Sequence, residues 1–153
     1  MRKNGRKWIS GMLLAVCLTA SACGGSEAKE VNVQEMAEKV EAAAEFPDTM
    51  VAVEEAMLEK LYGLDPDLFE TYYGVTSGGA TSDELLILKL KEEKDTDAVK
   101  EVLETRLSDR AESFESYAPE EAKKAEDGIL KVTGDTVIYC ICPNASAAEK
   151  AMK

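Results

Sequence analysis

The stretch "TYYGVTSGGATSDELLILKLK", residues 71–91, decides how the rest of the chain is read. Two short runs rich in aromatic, β-branched and aliphatic side chains, about 71–76 and 84–91, flank a loop of glycine, serine and threonine. That composition predicts two strands joined by a loop. Side chains alternate across a strand, so Leu86, Leu88 and Leu90 share one face. Leu85 and Ile87 make the start of the second run apolar on its other face as well.

Working outward, "GILKVTGDTVIYCIC" (residues 128–142) predicts a tighter hairpin, with Gly134-Asp135 as a two-residue turn and glycine first, as a type II′ turn prefers. Between the two strand pairs, Asp95 to Tyr117 is the longest expected helix. Val99, Leu103, Leu107 and Phe114 form its apolar stripe, Val102 and Ala111 lie alongside, and Asp95 or Asp97 caps it. Pro119 to Asp127 reads as a short polar helix or loop. Upstream, Asn32 is a suitable N-cap for a helix carrying Val33, Met36, Ala37, Val40 and Ala44, which ends at Phe46-Pro47. A second helix covers about 53–62, with Gly63 as its stop. Asp65-Pro66 opens a helical turn running through Glu70. Asn144 caps a final helix to Met152. The expected fold class is α+β: an antiparallel sheet of about four strands, as two hairpin-like pairs, packed against several amphipathic helices.

The N-terminus carries the clearest functional signal. Arg2, Lys3, Arg6 and Lys7 precede an apolar run from Ile9 to Ala20, and Ala20-Ser21-Ala22 supplies small residues, the three parts of an export signal. Twelve helical residues reach about 18 Å, short of a hydrocarbon core of about 30 Å, which argues against a membrane span. Cleavage between Ala22 and Cys23 makes Cys23 the first mature residue. "TASAC" (residues 19–23) resembles a bacterial lipobox, in which small residues precede a cysteine whose sulfur receives a diacylglyceryl group. Ala20 stands where leucine is commonest in that motif, and the same small residues suit an ordinary signal peptidase cutting at the same bond. A lipid anchor at Cys23 and plain secretion are therefore both open, the anchor being the preferred reading. The expected division is a signal over 1–22, a tether over 23–31 and an α+β domain over 32–153.

Composition narrows the function. Removing residues 1–22 takes away four of the 18 basic residues and none of the 30 acidic ones, leaving a mature chain of 131 residues with net charge −16. Such a chain repels nucleic-acid phosphates and anionic headgroups, so nucleic acid is not an expected partner and contact with the bilayer falls to the Cys23 anchor. It is also about half the length a two-lobed solute-binding protein needs. There are no histidines, which removes the commonest general base and zinc ligand. Cys140 and Cys142 stand two apart on one strand face, poor geometry for a mutual disulfide and too few ligands for zinc. They read as core.

Among candidate sites, the loop Thr76 to Glu84 stands first, with Ser77, Gly78, Gly79, Thr81, Ser82 and Asp83 as ligand-facing residues. Glycines let a backbone approach a ligand and hydroxyls supply hydrogen bonds. The loop lacks the lysine and following helix of a phosphate-binding motif. Asp65, Asp67 and Glu70, and separately Asp95 and Asp97, lack calcium-loop spacing and read as helix caps and first-turn acids. Tyr62, Phe69, Tyr72 and Tyr73 read as packing rather than a sugar platform. No metal ligand set and no cofactor motif is evident.

"LEKLYGLDPDLFETYYGVTSGGATSDELLILKLK" (residues 58–91), with Leu61-Tyr62-Gly63, Tyr72-Tyr73, Ser77 to Glu84 and Leu85 to Lys91, resembles a family of small lipoproteins from Gram-positive, chiefly clostridial, anaerobes that carries a domain-of-unknown-function label. "ESFESYAPEEAKKAEDGILKVTGDTVIYCI" (residues 112–141) fits as well, and the resemblance runs over about residues 33–142. It implies a lipid-anchored extracytoplasmic protein and no particular substrate, cofactor or active site. The expected function is a non-enzymatic binding or interaction module on the outer face of the cell membrane, with an unknown membrane or cell-wall partner. The alternatives are a small carboxylate-based enzyme acting on cell-wall material, with Asp83 or Glu84 as base, and a secreted, non-lipidated binding domain.

Overall fold

The computed structural model describes residues 30–153. The expected signal, the Ala22–Cys23 bond and the Cys23 anchor lie outside the described residues.

Asn32 accepts the backbone N–H of Glu35 at 3.1 Å and so starts α1 (Val33–Ala44), whose Val33, Ala37, Val40 and Ala44 are buried. The helix stops at Glu45, left-handed at φ +60°, one residue short of the Phe46-Pro47 that the sequence suggested. Next comes β1 (Val51–Ala52), then α2 (Glu55–Tyr62), which ends on left-handed Gly63. Asp65 caps a 3-10 turn over Pro66–Leu68. That turn is shorter than expected, because Phe69 already belongs to β2 (Phe69–Thr76), which hairpins into β3 (Glu84–Leu90). A second 3-10 turn, Glu93–Asp95, leads into α3 (Thr96–Glu115). Pro119 opens α4 (Pro119–Glu126). β4 (Ile129–Thr133) and β5 (Thr136–Ile141) form the second hairpin, and α5 (Ala145–Ala151) follows its cap Asn144. Gly134 takes φ +56° while Asp135 keeps a negative φ, as a type II′ turn requires.

The sheet is antiparallel, in the order β1-β2-β3-β5-β4. Its five strands correct the expected four. The added strand, β1, pairs Val51 with Thr76 and Ala52 with Val75. It is two residues long with both side chains exposed, too short to carry any alternation. Just beyond it, Val53 donates its N–H to Gly74 at 2.8 Å and is buried, so α2 starts at Glu55 and not at the expected 53. Gly74 permits this close approach, since a Cβ there would stand 2.9 Å from Val53 Cβ and 2.7 Å from Leu86 Cδ2.

The sheet is covered on both faces, and this accounts for the apolar start of β3. Leu86, Leu88 and Leu90 join Val137, Tyr139 and Ile141 against α2, α3 and Ala125 of α4. Leu85 and Ile87 join Ile138, Cys140 and Cys142 against α1 and α5. The expected aromatic group is divided by this arrangement. Tyr62, Phe69 and Tyr72 pack on the α2–α3 side and Tyr73 on the α1 side, where its hydroxyl donates to Glu41 at 2.7 Å. Both cysteines are buried free thiols. The Cys140 thiol is pushed up from its ordinary value by its hydrogen bond with Cys142 and by burial.

Candidate functional site

The β2–β3 loop closes over two buried carboxylates. Asp83 and Glu84 are each only 1% exposed, and as neighbours on an extended chain they point to opposite sides. Burying a carboxylate is costly unless charge and hydrogen bonds compensate it. Each has its own compensating set.

Glu84 faces α3. Its Oε1 accepts Arg106 Nη2 at 2.5 Å, and its Oε2 accepts Arg106 Nε at 3.2 Å and the Tyr139 hydroxyl at 2.8 Å. Arg110 adds a second cation, with Nε 3.3 Å from Oε1 but not aligned as a hydrogen bond. Arg106 also stacks on the Tyr62 ring at 4.9 Å and donates to the Leu61 carbonyl. Burial works against the charge of Arg106, but the hydrogen bonds and field of Glu84 outweigh it and its pKa is raised. Burial beside the Glu84 charge drives the Tyr139 hydroxyl far above its ordinary value, so it stays protonated and donates to Glu84.

Asp83 faces α4. Lys124 Nζ lies 2.9 and 3.0 Å from its two oxygens, and Thr81 Oγ1 donates to it at 2.6 Å. Glu121, one turn before Lys124, pairs with the same ammonium at 2.9 Å and accepts both the N–H (2.7 Å) and the hydroxyl (2.9 Å) of Ser82. Partial burial would raise the Glu121 pKa, but Lys124 and the two Ser82 donors prevail and it is lowered. For Lys124 burial pulls the pKa down, and the Glu121 and Asp83 partners win by raising it.

The loop itself is drawn into this frame. The Thr81 carbonyl accepts both Ser77 Oγ and Arg110 Nη2 at 2.7 Å, and Ser77 N–H donates to the Asp83 carbonyl. Of the six candidate loop residues, Ser77, Ser82 and Asp83 are therefore turned inward, and Thr81 is half-buried. Gly78 and Gly79, with Ala80 beside them, form the exposed tip. Gly78 (φ +67°) and Gly79 (φ +93°) both sit in the left-handed region that favours glycine. The result is a mobile-looking composition on a rigid footing: four helix side chains and a tyrosine grip the base, and three small residues project.

Just past α3, Tyr117 is 68% exposed and packs its ring 5.4 Å from Phe114, which itself lies under the Arg110 guanidinium at 4.9 Å. Among the described residues there is no group of three or more acidic or thiol side chains placed to hold a metal. Asp65 caps its 3-10 turn, and Asp95 and Asp97 stand at the start of α3. No described helix is long and apolar enough to cross a membrane.

Sequence reasoning found the loop and the acids but missed their partners. The signal was present: Arg106 and Arg110 are the only arginines after Arg6, one helical turn apart beside the apolar stripe of α3. A family model described as a domain of unknown function (DUF4358) matches residues 42–142, a span that contains every residue of this cluster. No curated protein and no solved structure matches the chain.

Proposed function

The chain belongs to that family of unknown function, and from this premise we propose that it is a membrane-anchored extracytoplasmic lipoprotein whose domain acts as a non-catalytic binding module. Cys23 is the anchor, the residues after it are the tether, and the β2–β3 loop is the contact element. The observation that carries the binding role is the loop's construction. Its base is fixed by Arg106, Arg110, Glu121 and Lys124, while Gly78, Gly79 and Ala80 stay exposed. A pre-ordered loop loses little conformational entropy on docking, which favours recognition. The same cations support binding over catalysis. A general base must exchange protons with a substrate, whereas Asp83 and Glu84 are enclosed and each is engaged by a cation. Anchoring adds to this by confining the domain to a thin layer, which raises its effective concentration for neighbouring partners.

Two measurements on protein made in a Gram-positive host test the reading. The mass of the mature N-terminal peptide is expected to carry a diacylglyceryl adduct on Cys23 that a Cys23→Ser variant lacks; an unmodified Cys23 rejects the anchor. A photo-crosslinking residue at Ala80 is expected to give a discrete adduct in cells that the same residue at exposed Lys94 does not. Identical background at both positions rejects the loop as the contact element.

A further inference from the structure

The fold fixes where the loop stands relative to the chain's entry into the domain. The described chain begins at Glu30, whose carboxylate binds Lys89 Nζ at 2.8 Å, and Glu30, Asn32, Gln34, Thr71 and Lys89 line one open hollow. Lys89 lies at the end of β3, opposite Thr71 of β2. The β2–β3 loop leaves from the other end of the same hairpin, where Thr76 pairs with Glu84. Five strand steps separate Lys89 from Glu84, about 17 Å at the usual rise, and the loop tip projects beyond. Entry and tip therefore occupy opposite poles, roughly 20–25 Å apart.

The elements around the sheet agree with this polarity. α1 starts beside the entry, and its last residue, Ala44, accepts the N–H of Asn144 at the far end. α3 starts on the entry side and reaches Glu84 with Arg106 and Thr81 with Arg110. Tyr117, just past the end of α3, packs on Phe114, which lies under the Arg110 guanidinium that holds Thr81, and so belongs to the loop pole.

We infer that, on the anchored protein, the loop pole bearing Gly78, Gly79, Ala80 and Tyr117 is held away from the bilayer, so that the partner it fits is one whose contact surface stands clear of the membrane rather than a lipid surface. This rests on the Cys23 anchor proposed above. The constraint is one of length. From Cys23 to Glu30 there are seven Cα steps, which span at most about 25 Å in any conformation. Turning the loop pole onto the bilayer lifts the entry pole by roughly 20–25 Å and so demands a chain stretched almost to its limit, the arrangement of lowest entropy. With the entry pole down, the same chain needs no extension. The net charge of −16 on the mature chain further opposes contact between the domain and anionic lipid.

The test uses the lipidated full-length mature protein in phosphatidylcholine vesicles containing a headgroup-nitroxide lipid, which quenches only at short range. A fluorophore is placed at Gln34→Cys on the entry pole, or at Ala80→Cys or Tyr117→Cys on the loop pole; all three sites are exposed, and the buried Cys140 and Cys142 do not compete for label. Quenching is expected to be several-fold stronger at Gln34 than at Ala80 and Tyr117. Equal quenching at the three sites, or stronger quenching at the loop pole, on protein that floats with the vesicles overturns the inference and leaves the anchor intact. Protein that does not float rejects the anchor itself, and the inference with it.

Discussion

Replacing Glu84 by glutamine removes one charge and almost no volume, and its cost follows from the geometry around that carboxylate. Glu84 is 1% exposed and receives three hydrogen bonds, from Arg106 Nη2, Arg106 Nε and Tyr139, with Arg110 close by. The glutamine carbonyl can keep one or two of those donors. Its amide end would face a guanidinium, and two arginines with 20% and 13% exposed side chains would lose their counter-charge. Breaking one side of a buried ion pair typically costs about 3–5 kcal/mol. Because both arginines retain an edge to water, the lower end applies, about 3 kcal/mol. For a domain of this size, with a total stability on the order of 5–15 kcal/mol, that is a loss of roughly 10 °C in Tm. Urea unfolding followed by far-UV circular dichroism suits the measurement, since the one tryptophan, Trp8, precedes the domain and cannot report on it. The midpoint is expected to fall with the slope unchanged. Arg106→Gln is expected to be costly as well, and the double variant to cost clearly less than the sum of the two. A Glu84→Gln variant within about 0.5 kcal/mol of the parent, the range expected for an exposed change such as Glu120→Gln, would refute the buried ion cluster.

Three further outcomes follow from other parts of the fold. Glu121 has a folded pKa below its unfolded value of 4.5, so its contribution is present above that value and is lost as pH falls through the lower, folded one; stability measured from pH 7 down to 3 should fall less steeply in Glu121→Gln than in the parent, and parallel curves would count against the Ser82–Glu121–Lys124 clamp. Gly74→Ala should destabilise by about 1–3 kcal/mol through contact with Val53 and Leu86, whereas exposed Ala80→Gly should change stability by only tenths; equal melts would contradict the close β1–β2 approach. Cys140 and Cys142 should resist an aromatic disulfide reagent in native buffer and react fully in denaturant, and rapid native reaction would show that the α1–α5 face opens.

The sequence made the local elements legible. The alternation in residues 71–91 and 128–142 led to both hairpins, and the Asn32 and Asn144 caps marked two helix starts. What it hid was non-local. That β3 lies beside β5, pairing Leu86 with Tyr139 across more than fifty residues, leaves no trace in either segment alone. β1 went unseen because two exposed residues hold no period. The candidate site divided in the same way. Glycines, hydroxyls and acids announced a loop, but composition cannot say which side chains turn inward. Ser82 and Asp83 looked like ligand contacts, and their partners Glu121 and Lys124 sit some forty residues downstream.

β3 reads Glu-Leu-Leu-Ile-Leu-Lys-Leu, apolar on both faces from Leu85 to Leu88, so burial of those four residues alone would accept the strand shifted by one residue in either direction. Such a slip exchanges the two faces. It would send the Glu84 carboxylate to the α1–α5 side, away from Arg106, Arg110 and Tyr139, and leave it buried without a counter-charge. The single acid at the head of the strand thus acts as an alignment key. It selects among several nearly equivalent alignments, and replacing Glu84, Arg106 and Arg110 together by apolar residues would remove that selection without leaving a buried charge unpaired.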